Sequence, residues 1–198
     1  MADNQKLITI SSTWSTASTF SRHPELYARL LDEAGEDVRV AAVLHPNIAT
    51  VHGRWQVHSW LAAAKRKGLL IVPPEEGWRA VMIASDHVIG DHGSTTSYAA
   101  AIGQPAHLAT FPDNDIREQC VAATLASVAP RLDHGQPLLP QLTDATTDAS
   151  RVAAAVSGRP GLASVLLRAV MYGLLKLPEP SWPPPVSPVP LPRPADWR

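Results

Sequence analysis

Four consecutive residues in the middle of the chain, Gly93, Ser94, Thr95 and Thr96, could bind an anion without supplying a charge. They follow the apolar run HVIG and begin a stretch typical of a helix capped by Ser94 and closed by Gly103. The first amides of a helix have no partner within it, and the helix dipole favours negative charge there. Gly93 also removes a Cβ where a ligand could approach the backbone. The pattern predicts a phosphate-binding turn, with an ordinary capped helix as the alternative.

A second candidate is the loop SSTWSTASTFS, which directly follows the first apolar run of the chain. Its hydroxyls and free amides, including those of Ser12, Thr13 and Ser15, could hold a phosphate. Taken by itself, this composition favours a polar surface loop built from Ser/Thr turns. The chain contains neither GxGxxG nor GxxxxGK[ST], so a standard dinucleotide site or a P-loop is not supported.

A third candidate is His45, which ends the second apolar run in the sequence LHPN. A histidine at the carboxyl end of a strand can act as an acid, a base or a phosphate ligand. A purely structural histidine is the alternative.

These candidates are positioned by a predicted alternation of strands and helices. Short aliphatic runs at 6–11, 38–44, 69–72, 87–90 and 106–110 are apolar on both faces, as in parallel strands covered on both sides. Helices are predicted at 24–34, 55–67, 76–85, 95–102 and 115–129, the last capped by Asp113 or Asn114. The order predicts an α/β fold with a three-layer, doubly wound parallel sheet of the Rossmann-like kind. In such sheets ligands bind beyond the carboxyl ends of the strands, where the candidate loops lie.

The amino-acid composition argues against several classes of protein. The chain has 198 residues, of which 17 are basic and 18 acidic, so no general basic field favours nucleic-acid binding. The single cysteine, Cys120, excludes an internal disulfide framework and a cysteine-rich zinc site, and it suits a reducing compartment. No signal-peptide pattern and no apolar run of membrane-spanning length is present. We therefore expect a soluble, cytoplasmic protein without a transmembrane segment.

Three parts are expected along the chain: a Rossmann-like nucleotide-binding domain at 1–130, a loop and helical extension at 131–176, and a proline-rich tail at 177–198. Nine of the 19 prolines lie from Pro178 to Pro194. Proline lacks an amide donor and fixes φ, so this stretch is expected to be an extended polyproline segment with C-terminal helices before it.

The stretch ASDHVIGDHGSTTSYAAAIGQPAHLATFP resembles the nucleotide-binding, C-terminal half of glycosyltransferases of the GT-B architecture. It is similar to UDP-N-acetylglucosamine 2-epimerases and CDP-glycerol glycerophosphotransferases, whose signature runs from a strand through Asp-x-[Ser/Gly]-[Ser/Gly] to a helix ending in Gly-x-Pro. The matching residues here are Asp91, Gly93, Ser94, Gly103 and Pro105, and His45, Pro46 and Asn47 match a His-Pro setting after the second strand. The resemblance covers residues 6–130.

The resemblance implies the donor-binding domain of a glycosyltransferase-like or glycerophosphotransferase-like protein, with a nucleotide-diphosphate sugar or alditol as ligand. The base would lie over Val72, Pro73 and Pro74, with Glu75 as a contact to base or ribose or as a plain helix N-terminal acid. The diphosphate would lie on residues 94–96 and the loop of Ser12, Thr13 and Ser15. His45 would stabilise or protonate the leaving phosphate. No cofactor and no metal is implied.

The chain departs from the resembled families in two ways that bear on its function and its partner. Those families carry an acidic ribose ligand in the helix after the glycine turn, where this chain has Ser97 and Tyr98. They also have two Rossmann-like halves, and this chain matches one, so an acceptor-domain subunit or a second copy is the expected partner. The apolar stretch at 161–175 would then dock on that partner, or else pack on its own domain.

Two other functions stay open. One is a non-catalytic nucleotide-binding or protein-interaction module of the same fold. The other is a metal-dependent hydrolase, because GDHG resembles fragments of metallophosphoesterases and lies near Asp86, His87, Asp91 and His92. The further spaced Asp and His clusters that such hydrolases need are missing from the sequence.

Overall fold

A computed structural model describes residues 5–75, 77–143 and 146–190 and shows a five-stranded, all-parallel sheet. The strands are β1 Lys6–Ser12, β2 Val38–Leu44, β3 Leu70–Ile71, β4 His87–Gly90 and β5 Ala106–Leu108, in the spatial order β3-β2-β1-β4-β5. The central strand β1 pairs with both β2 and β4, so that Ile8 lies opposite Val40 on one side and His87 on the other. The strands β2 and β3 are added on one side of β1 and β4 and β5 on the other, so the strand order reverses between β1 and β4, which is where doubly wound sheets bind their ligands.

Helices cover both faces of the sheet. They are α1 Thr19–Arg22, α2 Leu26–Glu33, α3 Pro46–His52, α4 Arg54–Trp60, α5 Ala62–Arg66, α6 Trp78–Ala84, α7 Ser94–Ala101, α8 Val121–Val128, α9 Leu138–Thr143, α10 Ala149–Val156 and α11 Ala163–Leu175. None of the described helices is long and apolar enough to cross a membrane.

The core is divided by the sheet because side chains alternate along each strand. On one face, Ile8, Val40 and Ala42 pack with the buried residues of α2 and α9. On the other, Leu7 and Val43 pack with residues of α6 and α7. Burial of both faces is why the strands are mostly apolar, and the predicted three-layer Rossmann-like fold is confirmed.

Local interactions explain where the helices differ from prediction. The helix α3 was not predicted, although Pro46 occupies its first turn and His45 caps it. The helix predicted from 115 and capped by Asp113 or Asn114 is wrong in its start, because α8 begins at Val121. The Asp113 carboxylate instead accepts hydrogen bonds from Arg131, so it does not cap a helix.

The segment after α8 packs against the sheet and its helices. Leu132, Leu138 and Leu142 join the larger core cluster, and the Glu33 carboxylate accepts hydrogen bonds from the first amides of α9. Val152 of α10 is fully buried against α7 and α8. Residues 178–190 contain neither helix nor strand, and residues 191–198 of the predicted tail lie outside the described residues.

Candidate functional site

Loops from three separate strands meet around a pocket of about 190 Å³ at the carboxyl edge of the sheet. It is lined by Val43, Leu44, His45, Pro46, Val72, Pro73, Pro74, Trp78 and Thr95. Three of the candidate residues, His45, Pro73 and Thr95, thus share one pocket although they follow β2, β3 and β4. The walls are mostly apolar and the polar groups few, as is common in small-molecule sites.

His45 is exposed at the mouth of this pocket. Its backbone amide donates to the carbonyl of Ser12, which holds the end of β2 beside the end of β1. Its Nδ1 accepts a hydrogen bond from the amide of Asn47 at 3.1 Å. A neutral ring that accepts at Nδ1 carries its proton on Nε2, so His45 can offer an N–H donor to a ligand.

The start of α7 supplies backbone donors beside the pocket. Gly93 is the N-cap, and the first intrahelical bond is donated by Ser97 to the carbonyl of Gly93. The amides of Ser94, Thr95 and Thr96 precede that bond and therefore lack an intrahelical partner. Ser94 is exposed and Thr95 half-buried, whereas the Thr96 side chain is fully buried against Gly90.

Close packing explains why residue 93 is a glycine, and the sequence alone did not show this. It adopts an extended conformation with φ −70°, so its backbone does not require glycine. A Cβ at this position would lie 2.6 Å from Cγ2 of Thr13 and 3.0 Å from Oδ1 of Asp91. The glycine therefore permits close packing of the β1 loop against the turn before α7.

The fully buried carboxylate of Asp91 connects these two loops. Its Oδ2 accepts from the amide of Thr13 at 3.0 Å, from the Thr13 hydroxyl at 3.1 Å and from the amide of Thr19 at 2.9 Å. Its Oδ1 accepts from the amide of Gly93 at 3.0 Å. Because Thr19 begins α1, the negative charge also lies at the positive end of that helix. Asp91 therefore holds the loop after β1, the start of α1 and the turn before α7 together.

The serine- and threonine-rich loop after β1 is largely bonded to itself and to Asp91. The Ser12 hydroxyl donates to the carbonyl of Thr13 and accepts from the amide of Phe20, and the Thr13 hydroxyl donates to Asp91. The Ser15 hydroxyl is buried and has no hydrogen-bond partner among the described residues. None of these three residues lines the pocket of His45.

Glu75 lies outside that pocket as well, exposed and ion-paired with Arg54. Trp78 is the pocket residue that sequence reasoning missed. Its ring stacks near Tyr98, with centroids 6.5 Å apart, and the Arg79 guanidinium lies 4.7 Å above it. The available signal was a tryptophan directly after the glycine that starts the helix following β3.

The residues of the hydrolase alternative are not gathered into a metal site. Asp86 lies at the amino end of β4, where its carboxylate accepts from the amide of Leu7 at 2.7 Å. Asp91 lies at the opposite end of the same strand and is saturated by backbone and hydroxyl donors. His87 faces His107 instead, with ring centroids 6.2 Å apart. The hydrolase reading has no geometric support among these residues.

Comparisons with known proteins bear on the fold. No family model matches the chain, and no curated protein matches it. Among solved structures, a UDP-N-acetylglucosamine 2-epimerase from Listeria monocytogenes matches 90% of the chain, with 16% identity and a TM-score of 0.49. The N-terminal domain of trehalose-6-phosphate phosphatase from Candida albicans matches 78%, with 15% identity and a TM-score of 0.50. The wall teichoic acid polymerase TagF matches 89%, with 14% identity and a TM-score of 0.48.

Both enzyme classes named from the sequence resemblance occur among these matches, at TM-scores just below 0.5. The chain covers 48%, 37% and 44% of the three matched structures, which is less than half of each. What is shown for this chain is the Rossmann-like α/β fold itself, a five-stranded parallel sheet with helices on both faces.

Proposed function

We propose that the protein is the donor-nucleotide-binding domain of a glycosyltransferase-like or glycerophosphotransferase-like enzyme, and that it binds a nucleotide-diphosphate sugar or alditol. The observation that carries the proposal is the convergence of His45, Pro73, Trp78 and Thr95 on one pocket at the carboxyl edge of the sheet. Parallel α/β sheets bind ligands at this edge.

The diphosphate is bound by donors without a formal charge. The amides of Ser94, Thr95 and Thr96 point out of the start of α7, whose dipole adds a partial positive charge. Each hydrogen bond to a charged group contributes about 1.5–3 kcal/mol net. The Nε2–H of His45 donates to the phosphate that leaves in the reaction and stabilises its developing charge.

The base is bound by the apolar part of the pocket. Pro73 and Pro74 form one wall, and the half-buried ring of Trp78 forms another. An aromatic ring stacks on any base, because every base has a π face, so this wall favours nucleotides without selecting one.

Transfer needs an acceptor held against the donor in a site without water. We propose that a second protein unit does this, either an acceptor-domain subunit or another copy of the chain. The proposal is supported by the exposed position of His45, which leaves the reacting side of the pocket open to solvent.

Calorimetry with UDP, CDP, GDP and TDP tests the binding proposal, and Ser94→Pro is the sharpest variant. Ser94 is the first residue of α7, where proline is tolerated, and Gly93 with ψ 154° already has the conformation that precedes proline. The variant removes one amide donor while the helix remains. We expect about a tenfold weaker affinity, equivalent to about 1.4 kcal/mol.

Two control variants make this experiment decisive. Ser94→Ala keeps the amide and should bind like the unmodified protein. Trp78→Leu should weaken binding, whereas Trp55→Leu should not, because Trp55 is 78% exposed and lies outside the pocket. The proposal fails if none of the four nucleotides binds at millimolar concentration, or if Ser94→Pro and Ser94→Ala bind equally well.

A non-catalytic nucleotide-binding module is the second candidate. The resembled families place a ribose-binding acid in the helix that corresponds to α7, where the chain has Ser97. The buried Ser97 hydroxyl donates to the carbonyl of Gly93 at 3.2 Å, so it is not available to a ribose, and this favours the non-catalytic module. Binding without donor turnover, also in the presence of a candidate acceptor subunit, would distinguish this module from the transferase.

A further inference from the structure

Three side chains from distant parts of the chain meet beside the start of α2. His23 and Glu25 flank Pro24, and His134 belongs to the segment that leads to α9. One candidate ligand atom from each of the three lies within 4.8 Å of the other two. The two imidazole rings are stacked, with centroids 3.6 Å apart.

The surroundings of His134 leave its Nδ1 atom available as a metal ligand. Its Nε2 lies 2.7 Å from the carbonyl oxygen of Ala109, so Nε2 carries the proton and donates it. The Nδ1 atom then has a free lone pair, yet it is buried and has no hydrogen-bond partner among the described residues. A buried, unsatisfied nitrogen costs free energy, and a metal ion bound to it would remove that cost. A carbonyl on the opposite ring nitrogen is a common outer-shell partner of metal-bound histidine.

His23 and Glu25 complete the donor set. The Nδ1 of His23 lies 3.3 Å from Oε1 of Glu25, whose side chain is half exposed. The rings are only 9° from parallel, so binding requires the His23 ring to turn until both lone pairs meet at one ion. Its side chain is 23% exposed, so part of the ring borders solvent.

We propose that His23, Glu25 and His134 form a binding site for a divalent transition-metal ion of the Zn²⁺ type, a site independent of the nucleotide pocket proposed above. Two imidazoles and one carboxylate are a donor set that suits Zn²⁺ and related ions, whereas Mg²⁺ and Ca²⁺ prefer oxygen ligands. His23 also borders an open cavity of about 640 Å³ formed with residues 110–115, so water or a ligand oxygen can reach the remaining coordination position.

Titration of the chelator-treated full chain with ZnCl₂, followed by calorimetry and thermal unfolding, tests the site. We expect one Zn²⁺ per chain, a raised melting temperature that EDTA reverses, and no response to MgCl₂ or CaCl₂. Substitution of Co²⁺ should give the visible absorption of a low-symmetry site with nitrogen and oxygen ligands. In NMR spectra, Zn²⁺ should shift the ring signals of both His23 and His134.

Variants assign the ligands. Glu25→Gln and His23→Gln change side chains that are 50% and 23% exposed, so they should fold normally and bind Zn²⁺ at least tenfold more weakly. His52→Gln, in an exposed histidine of α3, and Cys120→Ser are matched controls that should bind normally. Nucleotide affinity should be the same in Glu25→Gln as in the unmodified chain. The proposal is overturned if no saturable Zn²⁺ binding occurs, if Glu25→Gln and His23→Gln bind normally, or if Cys120→Ser abolishes binding.

Discussion

The helices α7 and α11 have opposite relations to the core. The eight-residue α7 contains four buried residues, Thr96, Ser97, Ala99 and Ala100, although half of them are polar. The thirteen-residue α11 is richer in large apolar side chains, yet none of its residues is buried. Apolar composition therefore did not decide which helix was buried.

Close approach explains the burial of α7. A Cβ at Gly90 would lie 2.1 Å from the Thr96 hydroxyl oxygen, so the strand and the helix touch where glycine leaves space. The small residues Ala99 and Ala100 continue this contact, and the Asp91 carboxylate holds the preceding turn. Small side chains let this helix approach the sheet closely enough to exclude water.

The protein partly covers the polar side of α11, where Arg168 and Tyr172 are half-buried although Ser164 and Lys176 are exposed. Ser164, Arg168, Tyr172 and Lys176 recur every four residues and form one stripe. Arg168 donates to the Glu179 carboxylate at 2.9 Å and to the carbonyl of Trp182 at 2.6 Å, so the following segment returns along this stripe. Leu174 and Val170, on the other side, are 79% and 58% exposed. Docking of this side on a partner stays a prediction.

The largest effect is expected from Asp91→Ala. Removal of the carboxylate leaves the buried amides of Thr19 and Gly93 and the partly buried amide of Thr13 without their acceptor, at about 1–3 kcal/mol for each buried, unsatisfied group. We expect the free energy of unfolding to fall by about 3–5 kcal/mol in urea denaturation. Asp32→Ala, which breaks an exposed ion pair with Lys67, should cost less than about 1 kcal/mol. Similar costs for the two variants would show that Asp91 does not organise the α7 region.

A smaller loss is expected from Gly93→Val. The new side chain would enter the space of Thr13 and Asp91, and overpacking of this kind costs about 1–3 kcal/mol. Gly158→Val is the matched control, because a Cβ at Gly158 meets nothing within 4 Å, and it should change stability by less than about 0.5 kcal/mol. If Gly93→Val is equally stable but binds no nucleotide, the glycine serves the ligand and not the packing.

Low pH should destabilise the sheet, because β4 and β5 each contain a histidine. It should not act on α11, which contains no histidine. Burial lowers the pKa of His87 in β4 and of His107 in β5 below the ordinary value of 6.5. The unfolded chain therefore takes up these protons first, so the stabilisation is complete above pH 6.5 and is lost as the pH falls through the folded-state values. Urea denaturation at pH 7.5 and 5.5 should show this loss, and the double variant His87→Gln/His107→Gln should reduce it. Equal pH dependence in that variant would assign the effect to other groups.

The smallest effect on stability is expected from Leu174→Lys. The side chain is already 79% exposed, so the free energy of unfolding should change by less than about 0.5 kcal/mol. Leu125→Lys places the same charge at a fully buried position of α8 and should prevent folding. Light scattering coupled to size-exclusion chromatography should show weaker self-association of Leu174→Lys if α11 docks on a second copy. A loss of several kcal/mol would show that α11 packs on its own domain.

Strands were predictable because their signal is local. The run VRVAAVL is apolar on both faces and forms β2 with the predicted bounds, since only a strand covered on both sides needs such a run. The same holds for HVIG and β4. Helix ends were less predictable: Asp113 looks like an N-cap in sequence, but its carboxylate is taken by Arg131, which lies 18 residues later.

Local sequence patterns were enough to predict the parallel sheet, the Rossmann-like order of elements and the positions of His45 and Thr95 after β2 and β4, because apolar runs and turn residues act over a few neighbours. The packing of the folded chain, by contrast, determined that Asp91 accepts from amides 72 and 78 residues away, that Trp78 lines the pocket, and that His23 meets His134. It also decided that the apolar side of α11 stays exposed. These outcomes depend on which loops the sheet brings together, and hydrogen bonding across such distances leaves no spacing pattern in the chain.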